Sequence, residues 1–220
     1  MTLDADRPSR GQRLPRSARR AQLLEAAQAA FVESGYHAAA MDDIAERAGV
    51  SKPVLYQHFP GKLEIYLALL DHHRGEIEAA VRSALSTTTD NKQRVLACVA
   101  VYFEFVSREG APFRLLFESD LTSDPAVSER VDGVAVTCGE ALAEVIAADT
   151  DLSSEDAHML GMALTGMAQV SARYWLSRGA QIPREEAAAI VGQLAWRGIG
   201  GFPRSGSAPR TDSVEQAIHS

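Results

Sequence analysis

The side chains best suited to chemistry fall in one short stretch, Lys52-Pro53-Val54-Leu55-Tyr56-Gln57-His58-Phe59-Pro60-Gly61-Lys62. Lys52, Tyr56, His58 and Lys62 carry groups that donate hydrogen bonds to phosphate, which positions a protein on a nucleic acid without reading its sequence. Gln57 has the amide that pairs bidentately with adenine, and Val54 has the methyls that meet a thymine methyl. On a helix, Leu55 and Phe59 share one face, and at 100° per residue Pro53, Val54, Tyr56 and Gln57 point away from it. Lys52 then stands at the end where the helix dipole and an ammonium both favour an anion. The chain shows no nucleophile–base arrangement, metal-ligand spacing or Gly-rich phosphate loop, which argues against an enzyme. The plainer account of the same stretch is a small helical hairpin with a solvated polar face.

These side chains need a helix held at a fixed angle, and the residues before them provide the hold. Asp42 to Ala48 sets Ile44, Ala45 and Ala48 at helical spacing. Gly49 follows, where a positive φ meets no side-chain clash. Val50 and Leu55 have the spacing of a hydrophobic staple, and the Ser51 hydroxyl is placed to cap the next first turn. Pro53 is tolerated because first-turn amides lack an intrahelical acceptor. A helix, a Gly-containing turn and a capped second helix make a helix-turn-helix, the device that sets a short helix in a major groove. Upstream, from about Pro15 to Ser34, Leu23, Ala27 and Phe31 recur every four residues with Leu24 and Ala30 beside them, and Gly35 ends the helix. Arg19 and Arg20 near its start join the candidate DNA contacts. Residues 1–15, with Arg7, Arg10 and Arg13, read as a flexible basic arm or a solubilising tail.

Charge is distributed to match. The 220 residues carry a net −7, but residues 1–62 sum to +2 and residues 63–220 to −9. A basic tip on an acidic body suits contact with a polyanion at one end only. Hydrophobic residues make up 46% and charged residues 23%, the balance of a globular chain with a substantial core. Cys98 and Cys138 fit no metal or redox spacing and read as buried fillers in a reducing compartment. The Arg-rich start lacks the apolar segment of a leader, and the apolar run Met159–Val170 is too short and interrupted to span a bilayer. A soluble, cytoplasmic protein without membrane, metal or cofactor is the expectation.

The remainder is read as helix throughout, giving an all-α fold. A helix from Lys62 to about Ser83 carries Leu63, Tyr66, Leu67 and Leu70 on one stripe and Ile65 and Leu69 on another, so it is buried on two faces. It contains His72 and His73, whose 100° separation on a helix makes a metal site improbable. Asp90 with Gln93 opens a helix ended by Gly110, and Pro112–Phe117 is a short apolar turn. Further helices span Pro125 to about Ala148, Ser154–Ser177 (capped by Ser153 and Asp156, ended by Gly179) and Pro183–Arg197. The expected organisation is an arm (1–15), a helix-turn-helix domain (16–62), a helical regulatory and dimerisation domain (63–199) and a disordered tail (200–220).

Ala30-Phe31, Gly35-Tyr36, Asp43-Ile44-Ala45, Ala48-Gly49-Val50-Ser51, Leu55-Tyr56, His58-Phe59 and Gly61-Lys62 resemble the DNA-binding domain of the TetR family of bacterial transcription regulators. The resemblance covers roughly residues 16–65. It implies a homodimer on a palindromic operator, its heads about 34–36 Å apart, with the last two long helices forming an intersubunit bundle. Gly161, Ala163, Gly166, Ala168 and Ala187-Ala188-Ala189 are small residues that permit such close approach, or that pack within one chain. It also implies a cavity for a small-molecule effector, for which Tyr102, Phe105, Phe113, Phe117, Met162, Thr165, Gln169 and Tyr174 are candidates beside plain core packing. Release of a repressor by that effector is the expected function, with a regulator lacking a ligand, or an activator, as alternatives. One departure stands out: Ala39-Ala40-Met41 occupies the place where similar proteins carry a capping Ser or Thr, which leaves Asp42 or backbone amides to start the next helix.

Overall fold

In the computed structural model, residues 14–108, 121 and 123–199 are described, and they form eight helices and no strand. These are α1 (Arg16–Ala38), α2 (Met41–Arg47), α3 (Lys52–His58), α4 (Lys62–Ser86), α5 (Asn91–Ser107), α6 (Pro125–Asp149), α7 (Ser154–Ser177) and α8 (Arg184–Ile199). The arm through Arg13, Gly110, the Pro112–Phe117 turn and the tail 200–220 lie outside the described residues. Two compact units divide after Tyr66, within α4.

In the first unit, the apolar stripes meet as their spacing requires. Leu23, Ala27 and Phe31 of α1, Ile44 and Ala45 of α2, and Leu55 of α3 are all buried, with Ala48, Phe59, Ile65 and Tyr66 completing the core. Gly35 interrupts α1 at the position where the sequence ends it. It takes φ 75° and ψ 165°, outside the left-handed helical region, and kinks the chain, which stays helical to Ala38. The Ala39 N–H then closes on the Gly35 carbonyl at 3.2 Å. Gly49, at φ 61°, makes the turn after α2, where its N–H and that of Val50 return to the Glu46 and Ala45 carbonyls.

Ser51 departs from expectation: its hydroxyl makes no cap bond. A capping hydroxyl serves the second or third amide of the helix. Here the second residue is Pro53, which has no N–H, and the third, Val54, bonds the Ser51 carbonyl at 3.0 Å. The α2 start likewise has no side-chain cap, and Asp42 and Asp43 instead place negative charge in its first turn.

In the second unit, caps fall where the sequence puts them. Asp90 accepts from the Lys92 and Gln93 amides at 2.8 and 3.1 Å, and Ser153 accepts from Asp156 N–H at 3.1 Å. Asp124 caps α6 in the same way. The small residues divide between two duties. Gly161, Ala168, Ala187 and Ala188 are buried within the chain, whereas Ala163 and Ala189 are exposed. Gly161 lies where α7 crosses α6, and a Cβ there would stand 2.2 Å from the Gly139 carbonyl oxygen. Its expected place in an intersubunit contact is therefore corrected: it is consumed by a helix crossing inside one chain. Cys98 and Cys138 are buried free thiols, and burial pushes the Cys98 thiol up to about 12.

The α4 stripe continues through His73, Ile77, Val81 and Leu85, all buried. The His73 ring lies 2.7 Å from the Glu76 carboxylate, yet burial dominates and pushes its pKa down. The folded state thus binds this proton less readily than the unfolded chain does.

Two outcomes follow from this packing. Gly161→Val forces the α6–α7 crossing apart and should cost about 1–3 kcal/mol in urea-induced unfolding. Stability from His73 is full above the unfolded histidine pKa of about 6.5 and declines as pH falls below it; a His73→Gln variant should show a flatter melting-temperature profile across that range.

Candidate nucleic-acid interface

The buried pair Leu55 and Phe59, 0% and 1% exposed, anchors α3 and thereby aims its other face outward. Pro53, Tyr56 and Gln57 are exposed, while Val54 and His58 are half-buried. The division of faces is the one the sequence spacing implies. Gln57 and Tyr56 therefore stand on the open face of α3, with Val54 at its margin.

The cations are arranged less simply. Lys52 Nζ lies 2.6 Å from Asp42 Oδ2, and that hydrogen bond and charge raise its pKa. Lys62, expected to reach a phosphate, donates to the His37 and Ala39 carbonyls at 3.0 and 2.9 Å. Its ammonium also stands 4.6 Å from the centroid of Tyr36, whose ring packs with Tyr66 at 5.2 Å. Lys62 thus ties the end of α1 to the start of α4. Arg20 stacks over the Phe59 ring at 4.3 Å, and Arg19 donates to Gln22 at 2.8 Å. Burial lowers the His58 pKa, and Arg16, Arg20 and Arg19 lower it further by their charge. Arg16, like Arg19 and Arg20, stands out in the sequence as a cation at the helix start, whereas Gln22 does not. Gln22 resembles any polar residue on an amphipathic helix until its partners are seen.

Residues 23–69 match the family described as bacterial regulatory proteins, tetR family. The chain is also 46% identical over 194 residues to the HTH-type transcriptional activator FasR of Mycolicibacterium smegmatis, covering 88% of this chain and 89% of that one. The chain belongs to the TetR family. It is a DNA-binding transcription regulator with an N-terminal helix-turn-helix and a helical C-terminal domain. Among solved structures, a TetR-like regulator from Rhodococcus sp. RHA1 superposes with a TM-score of 0.66 at 26% identity, covering 86% of this chain and all of that one. FadR from Bacillus subtilis, solved in complex with stearoyl-CoA, superposes with a TM-score of 0.63 at 18% identity over 80% of this chain and 96% of that one, which shows a shared fold.

Within this TetR-family chain, the residues expected to line an effector cavity do not come together. Tyr102 and Thr165 do meet, with Val95, Cys98, Val99, Leu142, Leu164 and Ala168, around a void of about 10 Å³. Their hydroxyls are buried beside each other and beside the Cys138 thiol. Such a void holds at most about one water. Phe105 packs near His73, with ring centroids 6.5 Å apart. Met162 is 40% exposed, Gln169 half-buried and Tyr174 65% exposed, so these three are not wall residues of that core. Phe113 and Phe117 lie outside the described residues. A second crevice of about 60 Å³ shares Val95, Leu142 and Leu164 with the first and adds Leu85, Val145, Ile146, Leu160 and Trp196. Arg94 and Asp149, paired at 2.8 Å, are part of its wall.

The His72–His73 pair, judged an improbable metal site from its angular separation, has a third group beside it that the sequence reading did not include. Ligand atoms of His72, His73 and Glu76 lie within 4.8 Å of one another. Adjacent rings diverge on a helix, but Glu76 follows by four and three residues and bridges the angle between them. Its carboxylate is already engaged by His73 and approached by Arg108 at 3.9 Å. Among the described residues, no helix is long and apolar enough to cross a membrane.

The α3 geometry makes Gln57 the residue to test for base reading. Gln57→Ala should weaken binding to the preferred operator by about 1–3 kcal/mol and relax preference at one base pair, as read by competition binding with base-substituted duplexes. Equal weakening on every sequence would make Gln57 a backbone contact.

Proposed function

We propose that this protein acts as a homodimer that grips a two-fold symmetric DNA site through α3 and activates transcription in response to a slender apolar effector. The observation that carries the DNA-binding part is the outward face of α3, with Tyr56 and Gln57 exposed over buried Leu55 and Phe59. Support for activation comes from the 46% identity, across nearly the whole length, to a regulator named as an activator. Repression, the direction expected from the sequence, is the competing outcome.

Dimerisation is supported by apolar residues left in water. Met159, Val170 and Tyr174 of α7 and Ile190 and Leu194 of α8 are each more than half exposed. Apolar exposure on this scale marks an interface. A cavity of about 570 Å³ opens beside these same helices between Tyr174, Trp175, Ile182 and Ile190, where a partner would cover it. Among the described residues, two apolar crevices of the helical core are our candidates for the effector path. Both are far smaller than an ordinary ligand pocket of about 300–1,000 Å³, so an effector would bind a more open form and shift the population toward it. Because that core includes residues packed along α4, whose first turn belongs to the DNA-binding unit, opening is proposed to change the spacing of the two heads.

Leu194→Asp should convert a dimer to monomers in sedimentation and lower affinity for a palindromic site at least tenfold while leaving helical content intact. A reporter driven by a site mapped across the genome should fall when the gene is deleted. A rise would establish repression instead.

A further inference from the structure

Both lysines expected to meet phosphate are engaged within the protein, Lys52 by Asp42 and Lys62 by two carbonyls. The Lys52 pair is exposed and exchanges for a phosphate at modest cost, but Lys62 is held, so other cations share the grip on the DNA backbone, and the start of α1 has them. We propose that Arg19 and Arg20, set in place by Gln22 and the Phe59 ring, form with His58 a preassembled clamp for a DNA backbone phosphate, with Gln22 as its positioning residue. The proposal rests on α3 being the recognition helix.

The Gln22 carboxamide is the centre of the arrangement. Its Nε2 donates to the Ala48 carbonyl at 2.9 Å, at the end of α2 where helix carbonyls lack intrahelical partners. Its Oε1 accepts from Arg19 Nη1 at 2.8 Å. The orientation is unambiguous, because a carbonyl only accepts and a guanidinium only donates. One amide therefore links the turn of the helix-turn-helix to a guanidinium. Arg19 spends one donor on Gln22 and keeps others for the fork geometry that suits phosphate. Part of its rotamer freedom is lost before DNA arrives, which lowers the ordering cost of binding.

Arg20 is fixed by different means with the same effect. Its guanidinium carbon lies over the Phe59 ring, 4.3 Å from the centroid, a contact that engages the ring face and uses no N–H donor. Phe59 is buried and its N–H bonds the Leu55 carbonyl at 2.9 Å, so Arg20 is registered to the C-terminal end of α3. His58 precedes Phe59, and the charges of Arg16, Arg19 and Arg20 all disfavour its proton. Cations gathered against one another are stabilised by an anion between them.

The test uses the full-length chain and a labelled mixed-sequence duplex, with affinity measured by anisotropy over a series of salt concentrations. Arg19→Ala, a surface change, should flatten the slope of log affinity against log salt by about 0.9, one phosphate contact. Gln22→Met should flatten it in the same direction, and Arg19→Ala/Gln22→Met should go no further than Arg19→Ala alone. Gln22→Glu, which retains an acceptor but neutralises Arg19, should match Arg19→Ala and serves if Gln22→Met melts early. Additive losses would overturn the positioning role. An unchanged slope in Arg19→Ala, with wild type still binding steeply in salt, would overturn the clamp alone. A wild-type chain without salt-dependent duplex binding would overturn the reading of α3 as well.

Discussion

The burial of Leu55 and Phe59 is the constraint on which the DNA-binding unit depends. A helix as short as Lys52–His58 does not persist alone in water, because nucleation is costly and few bonds follow it. It exists here because two side chains four residues apart are removed from solvent against α1 and α2. Burying them holds the helix and also fixes its rotation. Once both point inward, Tyr56 and Gln57 have no direction left but outward. The stability of the head and the identity of its reading face are one fact.

Charge in this unit is used internally before it is offered to DNA. Arg47 pairs with Glu33, Lys52 with Asp42, and Lys62 with the carbonyls that close α1. Exposed pairs contribute little to stability, so Lys52 remains available to a phosphate at modest cost. Lys62 differs, since it satisfies two carbonyls beside the aromatic group of Phe31, Tyr36 and Tyr66. The hydroxyl cap absent before α2 is offset in part by Asp42 and Asp43, which place negative charge at the helix start. The same Asp42 then holds Lys52, so one carboxylate serves both the α2 helix start and the pairing of that lysine.

The helical unit is built around close crossing rather than around a ready cavity. Gly139 and Gly161 let α6 and α7 approach until no Cβ fits between them. Tight packing of this kind behaves as a small number of discrete arrangements and resists gradual deformation. The two crevices that share Val95, Leu142 and Leu164 mark where such a core has room to part.

Periodicity alone determined the all-α fold, the stripes that form both cores, the caps at Asp90 and Ser153 and the inward face of α3. Each depends on residues within a turn or two of one another, where helical geometry dictates who meets whom. Local pattern did not reveal that Ser51 fails to cap, because that outcome needs the Ser51 carbonyl and Pro53 considered together. Tertiary structure decided what lies many residues apart. Gln22 reaches Ala48, Lys62 reaches His37 and Ala39, and Gly161 faces Gly139. A small or polar residue carries the same signal in sequence whether it faces water, a partner or its own chain. Only packing distinguishes these, because the deciding atoms are brought together by burial of the apolar stripes and not by their own spacing.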